Sequence, residues 1–431
     1  MSFLKNQTLG KSLLKQEWIN NASTKRVIDC FVKNQAPFRF VGGCVRDGIL
    51  KRPVKDIDIC TPLLPHAIIS LFRDHDFAVY ETGLKHGTVT IVSNHQPFEI
   101  TTLRQDKETD GRRALVEFTD SWQADAARRD FTFNALSLTA EGELFDYFDG
   151  ISDLLVGIVR FIGNPLDRIK EDHLRILRLL RFQCYYGKSP LSLETLGLVS
   201  QHANLISKLS GERIRQEFLK ILSAHDPYPT LLDMNKTKLL QQFLPFFFNL
   251  KTLESLLFIE VNLLNKNFSL KIDPLRRLAA LLSSASEKDY LQTSKILKFS
   301  SRQQQQLLSY YHHTGKIKPV EPLTIRQFLY DHGPEISLDL LLLQEAIDLC
   351  TKSTTLKSIF NDLELYDKAC KIWENPVFPI KGDDVLKLNI REGKEIGRLL
   401  DEVKRWWRQH DFRPDHTACM EYVKGLIAAS K

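Results

Sequence analysis

Long hydrophobic runs are missing from this 431-residue sequence. Its most apolar stretch, 243–250, is interrupted by Pro245 and Asn249 and falls far short of the roughly 20 residues that cross a bilayer, so no membrane span is expected. Cysteine is scarce: seven residues from Cys30 to Cys419, with no Cys-x-x-Cys pair, point to neither a disulfide framework nor a structural zinc site and suit a reducing compartment. The first twenty residues lack the compact apolar core of a secretory signal and the acid-free, Ser/Arg-rich texture of a transit peptide, so a cytoplasmic location is expected. Neither sign of charge dominates. Fifty-nine Lys and Arg against 53 Asp and Glu give +6, which permits an anionic partner without requiring one. Low-complexity tracts and a fixed repeat period are also absent; the Gln run at 303–306 is too short to count.

What is present is ordinary globular material, 43% hydrophobic and 26% charged, enough for about two to four domains. The texture changes near residue 165. Before it, short β-rich runs at 38–41, 56–60, 87–92 and 98–103 are punctuated by Gly and Pro; after it, apolar residues recur at helical spacing with few breakers. This predicts an α/β head followed by an all-helical remainder. In that remainder the spacing predicts one long amphipathic helix over 168–186, another from 211 to 224, leucine-rich helices such as 275–282 and 338–349, and a break at Pro376 and Pro379.

The densest chemistry lies in Phe40-Val-Gly-Gly-Cys-Val-Arg-Asp47, continuing to Lys55-Asp-Ile-Asp-Ile59. A strand that ends in Gly42 and Gly43 can turn tightly and approach a ligand with its backbone, and the N–H groups of a following helix suit an anion. Arg46 then stands within reach of phosphate oxygens. Asp56 and Asp58, one residue apart, point the same way in a strand, and two converging carboxylates with a phosphate suit Mg²⁺. Asp-x-Asp alone is a common solvated turn. Beside Gly42, Gly43 and Arg46, the same unit offers both a phosphate cradle and its metal, and a nucleotide is the natural ligand. Glu99, in a neighbouring strand, would complete a two-metal centre; an edge-strand glutamate is the competing explanation. Cys44 and Cys60 flank this unit and read as small core residues.

These residues resemble the class II CCA-adding enzyme (tRNA nucleotidyltransferase) and bacterial poly(A) polymerase family, in the polymerase-β-like superfamily. The matching blocks run in order: Gly42 to Asp47 with Asp56 and Asp58; Arg128-Arg129-Asp130-Phe-Thr-Phe-Asn134-Ala135; Asp146-Tyr-Phe-Asp-Gly150; Glu171-Asp172-His-Leu-Arg175-Ile-Leu-Arg178-Leu-Leu-Arg181; and Glu212-Arg213-Ile-Arg-Gln-Glu217. They cover about 36–222. The resemblance implies a nucleotidyltransferase head with a polymerase-β-like mixed sheet over 1–165, a neck with a nucleotide-selecting helix over 166–225, an RNA-binding helical body over 226–375 and a helical tail over 376–431. It implies transfer of a nucleoside monophosphate from CTP or ATP to the 3′ end of tRNA, held by its acceptor arm, with Asp56, Asp58 and Glu99 catalytic and Mg²⁺ on Asp56 and Asp58. Arg129 would meet the triphosphate and Asp130 a sugar hydroxyl; Asn134 and Asp146 are supporting residues.

Within 171–182, Asp172 and Arg175 at i and i+3 would share a helix face and address one planar base together. Cytosine and adenine each present an amine donor beside an unprotonated ring nitrogen, so an Asp acceptor and an Arg donor fit both, whereas uracil and guanine reverse both contacts. Arg178 and Arg181 continue the face towards phosphates. A plain helix ion pair is the bland alternative. Thr82-Gly-Leu-Lys-His-Gly-Thr-Val-Thr90 resembles the run typical of CCA-adding members and reads as a hairpin with a Gly turn. The charged stretch 104–120, with Asp110-Gly-Arg-Arg113, reads as a mobile loop between C and A addition. In the tail, Lys404-Arg-Trp-Trp-Arg408 is either an RNA patch or a surface helix with buried tryptophans. Rival activities are poly(A) addition, and a non-catalytic RNA-binding protein on the same scaffold, against which the retention of Asp56, Asp58, Arg46 and Arg129 argues. No second, phosphohydrolase activity is expected.

Overall fold

The computed structural model describes residues 2–109, 114–265, 270–318, 320–388, 390 and 393–429. They form two compact units, Met1–Pro245 and Phe246–Lys431.

The first unit is built on β1 (Arg39–Val41), β2 (Asp58–Thr61), β3 (Ala78–Gly83), β4 (Thr88–Ser93), β5 (Gln96–Thr102), β8 (Ser137–Leu138) and β9 (Leu144–Phe145). They lie in the order β3-β4-β5-β2-β1-β8-β9. The sheet is mixed: β2 and β5 are parallel, in a register that sets Asp58 opposite Glu99, and the other pairings are antiparallel. Along β5 the pleat alternates, with Phe98 and Ile100 fully buried and Glu99 exposed. Rings of Phe31, Phe38, Phe40 and Phe72 pack edge and face beneath the sheet. As expected, 82–90 falls in a hairpin, β3 and β4 joined through the short helix Leu84–His86 and Gly87.

Two expectations fail in this unit. The stretch 104–120 is not a plain loop: β6 (Arg104–Thr109) and β7 (Ala114–Phe118) pair as an antiparallel ribbon, while 110–113 lie outside the described residues. A two-stranded ladder satisfies backbone groups whatever the side chains carry, so charged residues do not forbid it. The helix predicted over 168–186 is two helices, Pro165–Glu171 and Arg175–Tyr186. Asp172 between them is extended (φ −149°, ψ 109°), and its carboxylate accepts from the Leu174 N–H at 3.1 Å, the local side-chain bond by which aspartate competes with a helix. The second helix docks through Phe182, which meets Phe131 and Phe133 edge-on. Gly211–Leu222 follows as a helix, close to the expected span.

The second unit is helical wherever it is regular among the described residues. The stretches 275–282 and 338–349 fall in helices Pro274–Leu281 and Pro322–Cys350, the latter kinked at Gly333 (φ 73°) before Pro334. Its interior holds ions: Glu260, 1% exposed, receives both Arg276 and Arg277 at 2.7 Å, and Arg276 and Tyr310 both reach Asp339. The break at Pro376 and Pro379 falls between helices Leu356–Lys371 and Gly382–Leu386. Further on, Trp407 is buried with Val385, Leu399, Val403 and Cys419, and Trp406 stacks on Tyr422 at 4.4 Å, so both tryptophans serve the core.

Candidate active site

The chain leaves β1 through Gly42, at φ +67° and ψ −121°, a backbone region closed to side chains. A Cβ there would also stand 3.1 Å from Nη1 of Arg129. The helix Gly43–Ile49 that follows has no side-chain cap at its start. Behind the turn, Cys44 and Cys60 are buried, and burial pushes both thiols up to about 12, so they are core residues.

Asp58 opens β2, whereas Asp56 lies in the irregular segment just before it and is exposed. The expected alternation of two strand residues therefore applies only from Asp58 onward. Burial raises the Asp58 carboxyl to about 6, helped by Glu99 on the paired strand and by Asp56, against the pull of Arg129 and Arg46. Among the described residues no three His, Cys, Asp or Glu side chains gather closely enough to form a ready metal cluster. The donor chemistry still fits a divalent cation: hard oxygens from Asp58 and Asp56, with Glu99 opposite, in mutual repulsion.

Asp58 borders a cleft of about 540 Å³ whose lining includes Gly42, Gly43, Arg46, Arg104, Arg128, Arg129, Asp130, Asn134, Asp172, Arg175, Arg178, Arg181 and Phe182. Seven arginines face three aspartates, the charge pattern of an anion site. The expected residues of the Gly-Gly turn, the Arg-Arg-Asp block and the selecting helix thus meet in one cleft. Asp56 and Glu99 are not part of its lining.

Most of the arginines are already engaged. Arg46 grips Asp47 with Nε and Nη2 (3.1 and 2.8 Å) and donates from Nη1 to Asn134 Oδ1 at 2.7 Å, so phosphate would meet only its remaining N–H groups. Asn134 in turn donates to Asp130, which also takes Arg178 at 2.6 Å; burial pushes the Asp130 carboxyl up, and Arg178 and Asn134 more than offset this, holding it below the usual carboxylate range. Asp130 is thus held by partners within the protein while bordering the cleft. Arg181 lies 2.6 Å from Glu217, though its Nε–H is not aligned on that oxygen. Asp172 and Arg175 are not partners: Asp172 pairs with Arg213 at 2.8 Å, and Arg175 with Glu171. The shared helix face assumed for them does not exist, because the chain bends at Asp172. Asp146 accepts from the N–H groups of Phe148, Gly150 and Ile151, which makes it the residue that holds that turn.

Several residues escaped the sequence. Asp125, 3% exposed, receives Arg128 at 2.8 Å and Arg129 at 3.2 Å and the backbone N–H of Arg104. Burial raises its carboxyl, but the two arginines win and hold it low. Its spacing of three and four residues from that arginine pair was the available signal. Arg104 and Arg128 line the cleft, and Glu171 and Arg213 hold Arg175 and Asp172 there.

A two-glycine turn, an edge of carboxylates and an arginine-lined cleft define a nucleotidyltransferase head built to handle a polyphosphate. The profile described as "Poly A polymerase head domain" matches 38–160, and that described as "Probable RNA and SrmB- binding site of polymerase A" matches 191–250. The mouse (Mus musculus) protein named "CCA tRNA nucleotidyltransferase 1, mitochondrial" is 32% identical over 418 residues, 93% of this chain and 89% of that protein. A CCA-adding enzyme of Bacillus mycoides is 39% identical over 202 residues, 46% of this chain and 50% of that one. Among solved structures, the Bacillus stearothermophilus CCA-adding enzyme in complex with CTP shares the fold at a TM-score of 0.74 and 23% identity, covering 95% of this chain and 98% of that one. The Thermotoga maritima CCA-adding enzyme complexed with tRNA does so at 0.63 and 19%, over 97% and 98%. This chain belongs to the CCA tRNA nucleotidyltransferase family.

Proposed function

We propose that this chain adds CCA to the 3′ end of tRNA from CTP and ATP, releasing pyrophosphate. The observation that carries this is the cleft in which seven arginines lead from the Gly42-Gly43 turn and Asp58 to Asp172 and Arg175. A triphosphate fits its charge, and the guanidinium groups balance the phosphates before and after transfer. Asp172 and Arg175 read the base by accepting from the exocyclic amine and donating to the ring nitrogen, exchanging their present partners Arg213 and Glu171 for the nucleotide. The metal is Mg²⁺, held by Asp58 and Asp56 with Glu99 beside them. When bound it lowers the pKa of the attacking hydroxyl and neutralises the leaving pyrophosphate. Arg129, aimed by Asp125, and the remaining donors of Arg46 meet phosphate oxygens; Arg178 and Arg181 stand along the same wall.

The division at 165, 225 and 375 into head, neck, RNA-binding body and tail is the functional one we adopt, with the acceptor arm held by shape and phosphate charge. A cytoplasmic site of action accords with seven free cysteines; the mammalian relatives are named mitochondrial, and a tagged full-length chain followed by cell fractionation decides between the compartments. No helix among the described residues is long and apolar enough to cross a membrane.

Poly(A) addition is the second reading, favoured by the name of the matching head profile. Labelled CTP and ATP offered separately and together to tRNA lacking CCA, with oligo(A) in parallel, separates them. Growth by two C and one A, stopping there, supports the proposal; an open-ended A ladder on oligo(A) overturns it.

A further inference from the structure

The helix Arg175–Tyr186 lines the cleft from Arg175 to Phe182, with Asp172 just before its N-terminal end. At its other end, about 17 Å from Arg175 at about 1.5 Å per residue, Tyr186 does something the proposed reaction has not used. Its hydroxyl donates to Asp47 Oδ1 at 2.7 Å. Its ring is flanked by two guanidinium groups, with Arg46 Cζ 4.5 Å and Arg52 Cζ 4.7 Å from the centroid, and Arg52 also donates to the Tyr185 carbonyl at 2.8 Å. Asp47 is the residue that Arg46 grips with two N–H groups, and it sits on the helix that starts at the Gly42-Gly43 turn. Burial raises the phenol to about 12, so it stays a donor throughout the working pH range.

Tyr186 is not part of the cleft lining. It joins the helix that would read the base to the turn that would hold the phosphates. We propose that Tyr186 is a positioning residue that keeps the base-reading end of its helix in register with the Gly42-Gly43 turn, so that base choice depends on a contact outside the cleft. This rests on the nucleotide-site reading above. The physical case is that one charge-assisted hydrogen bond, from Tyr186 to Asp47, and one ring stack, with Arg46, tie the helix end to the Asp47 and Arg46 pair, while Arg52 packs against the same ring; such contacts hold geometry tightly when part-buried. Without the hydroxyl, Asp47 loses one partner and the helix end can shift against the turn, carrying Asp172 and Arg175 with it.

The test uses the full chain with tRNA lacking CCA. Tyr186→Phe keeps the ring and both stacks and removes only the donor; Asp47→Asn weakens the same bond from the other side. For Tyr186→Phe we expect discrimination between CTP and UTP, measured as the ratio of kcat/KM values, to fall about tenfold, the size of one hydrogen bond to a charged group. Tyr186→Phe combined with Asp47→Asn should fall little further than the worse single change. A folded Tyr186→Phe enzyme, judged by an unchanged urea midpoint, that discriminates like the parent overturns the proposal, as do fully additive effects. A merely structural role would lower the midpoint and leave the ratio alone. Asp58→Ala run beside them tests the site itself: retained transfer there overturns the site reading, whereas lost discrimination in Tyr186→Phe would still report the coupling.

Discussion

Replacing Asp58 by Asn is expected to stabilise the metal-free protein while abolishing transfer. The carboxyl is part-buried beside Glu99 and Asp56, and its folded value of about 6 lies above the ordinary 3.8. A raised carboxyl binds its proton more tightly in the folded chain, so its favourable contribution is present below about pH 4 and is lost as pH rises through about 6. That interval corresponds to at most about 3 kcal/mol; Asp58 is part-exposed, and solvent screening reduces the expectation to about 1 to 2 kcal/mol at pH 7.5. Asn keeps the shape without the charge. Urea unfolding in EDTA should therefore show Asp58→Asn more stable than the parent by about that amount at pH 7.5, with the gap closing near pH 4. Added Mg²⁺ should raise the midpoint of the parent and not of the variant. A variant no more stable than the parent at pH 7.5 without metal, or a gap that persists unchanged at pH 4, would refute the crowding argument. An equal response of both proteins to Mg²⁺ would refute the assignment of the ion to Asp58.

Three further outcomes are expected. Gly42→Ala forces a Cβ into a backbone region reserved for glycine and against Arg129, and should cost about 1 to 3 kcal/mol in urea unfolding and most of the transfer rate. Glu260→Gln leaves Arg276 and Arg277 without their shared carboxylate in the second unit and should cost roughly 3 to 5 kcal/mol, read as a lowered melting temperature. Asp172→Ala should reduce discrimination against UTP by about tenfold or more in single-nucleotide assays; unchanged selection would remove Asp172 from base reading.

Four strands of the head, β1, β2, β4 and β5, were legible because their runs are short and bounded by Gly or Pro, and the neighbourhood of Asp58 and Glu99 followed from them; β8 and β9, two residues each, are too short to carry a pattern. What stayed hidden depends on partners distant in sequence. Asp172 interrupts the helix by accepting from the Leu174 N–H, a choice that helical spacing cannot reveal, so the two residues reach one cleft from separate helices and not from one helix face. Arg46 looked free because a charged residue next in sequence does not announce a grip; in the fold Asp47 takes two of its N–H groups, and Asn134 and Tyr186, 88 and 140 positions away, complete its surroundings. The ribbon of β6 and β7 went unseen because backbone pairing needs no apolar face. The buried ion cluster of Glu260, Arg276, Arg277 and Asp339 likewise forms only when helices distant in sequence come together.

The parallel register that sets Asp58 against Glu99 also shields the chemistry from quiet erosion. In β5, Glu99 faces out between Phe98 and Ile100, which face in. A single-residue insertion or deletion early in that strand would turn Glu99 inward and expose both apolar neighbours in the same stroke. Damage of this kind at Glu99 would thus be felt as misfolding before anything else. Cellular quality control would then remove such chains, and a lineage drifting under weak demand for the enzyme would lose the protein outright sooner than it accumulated intact but inert copies through indels here.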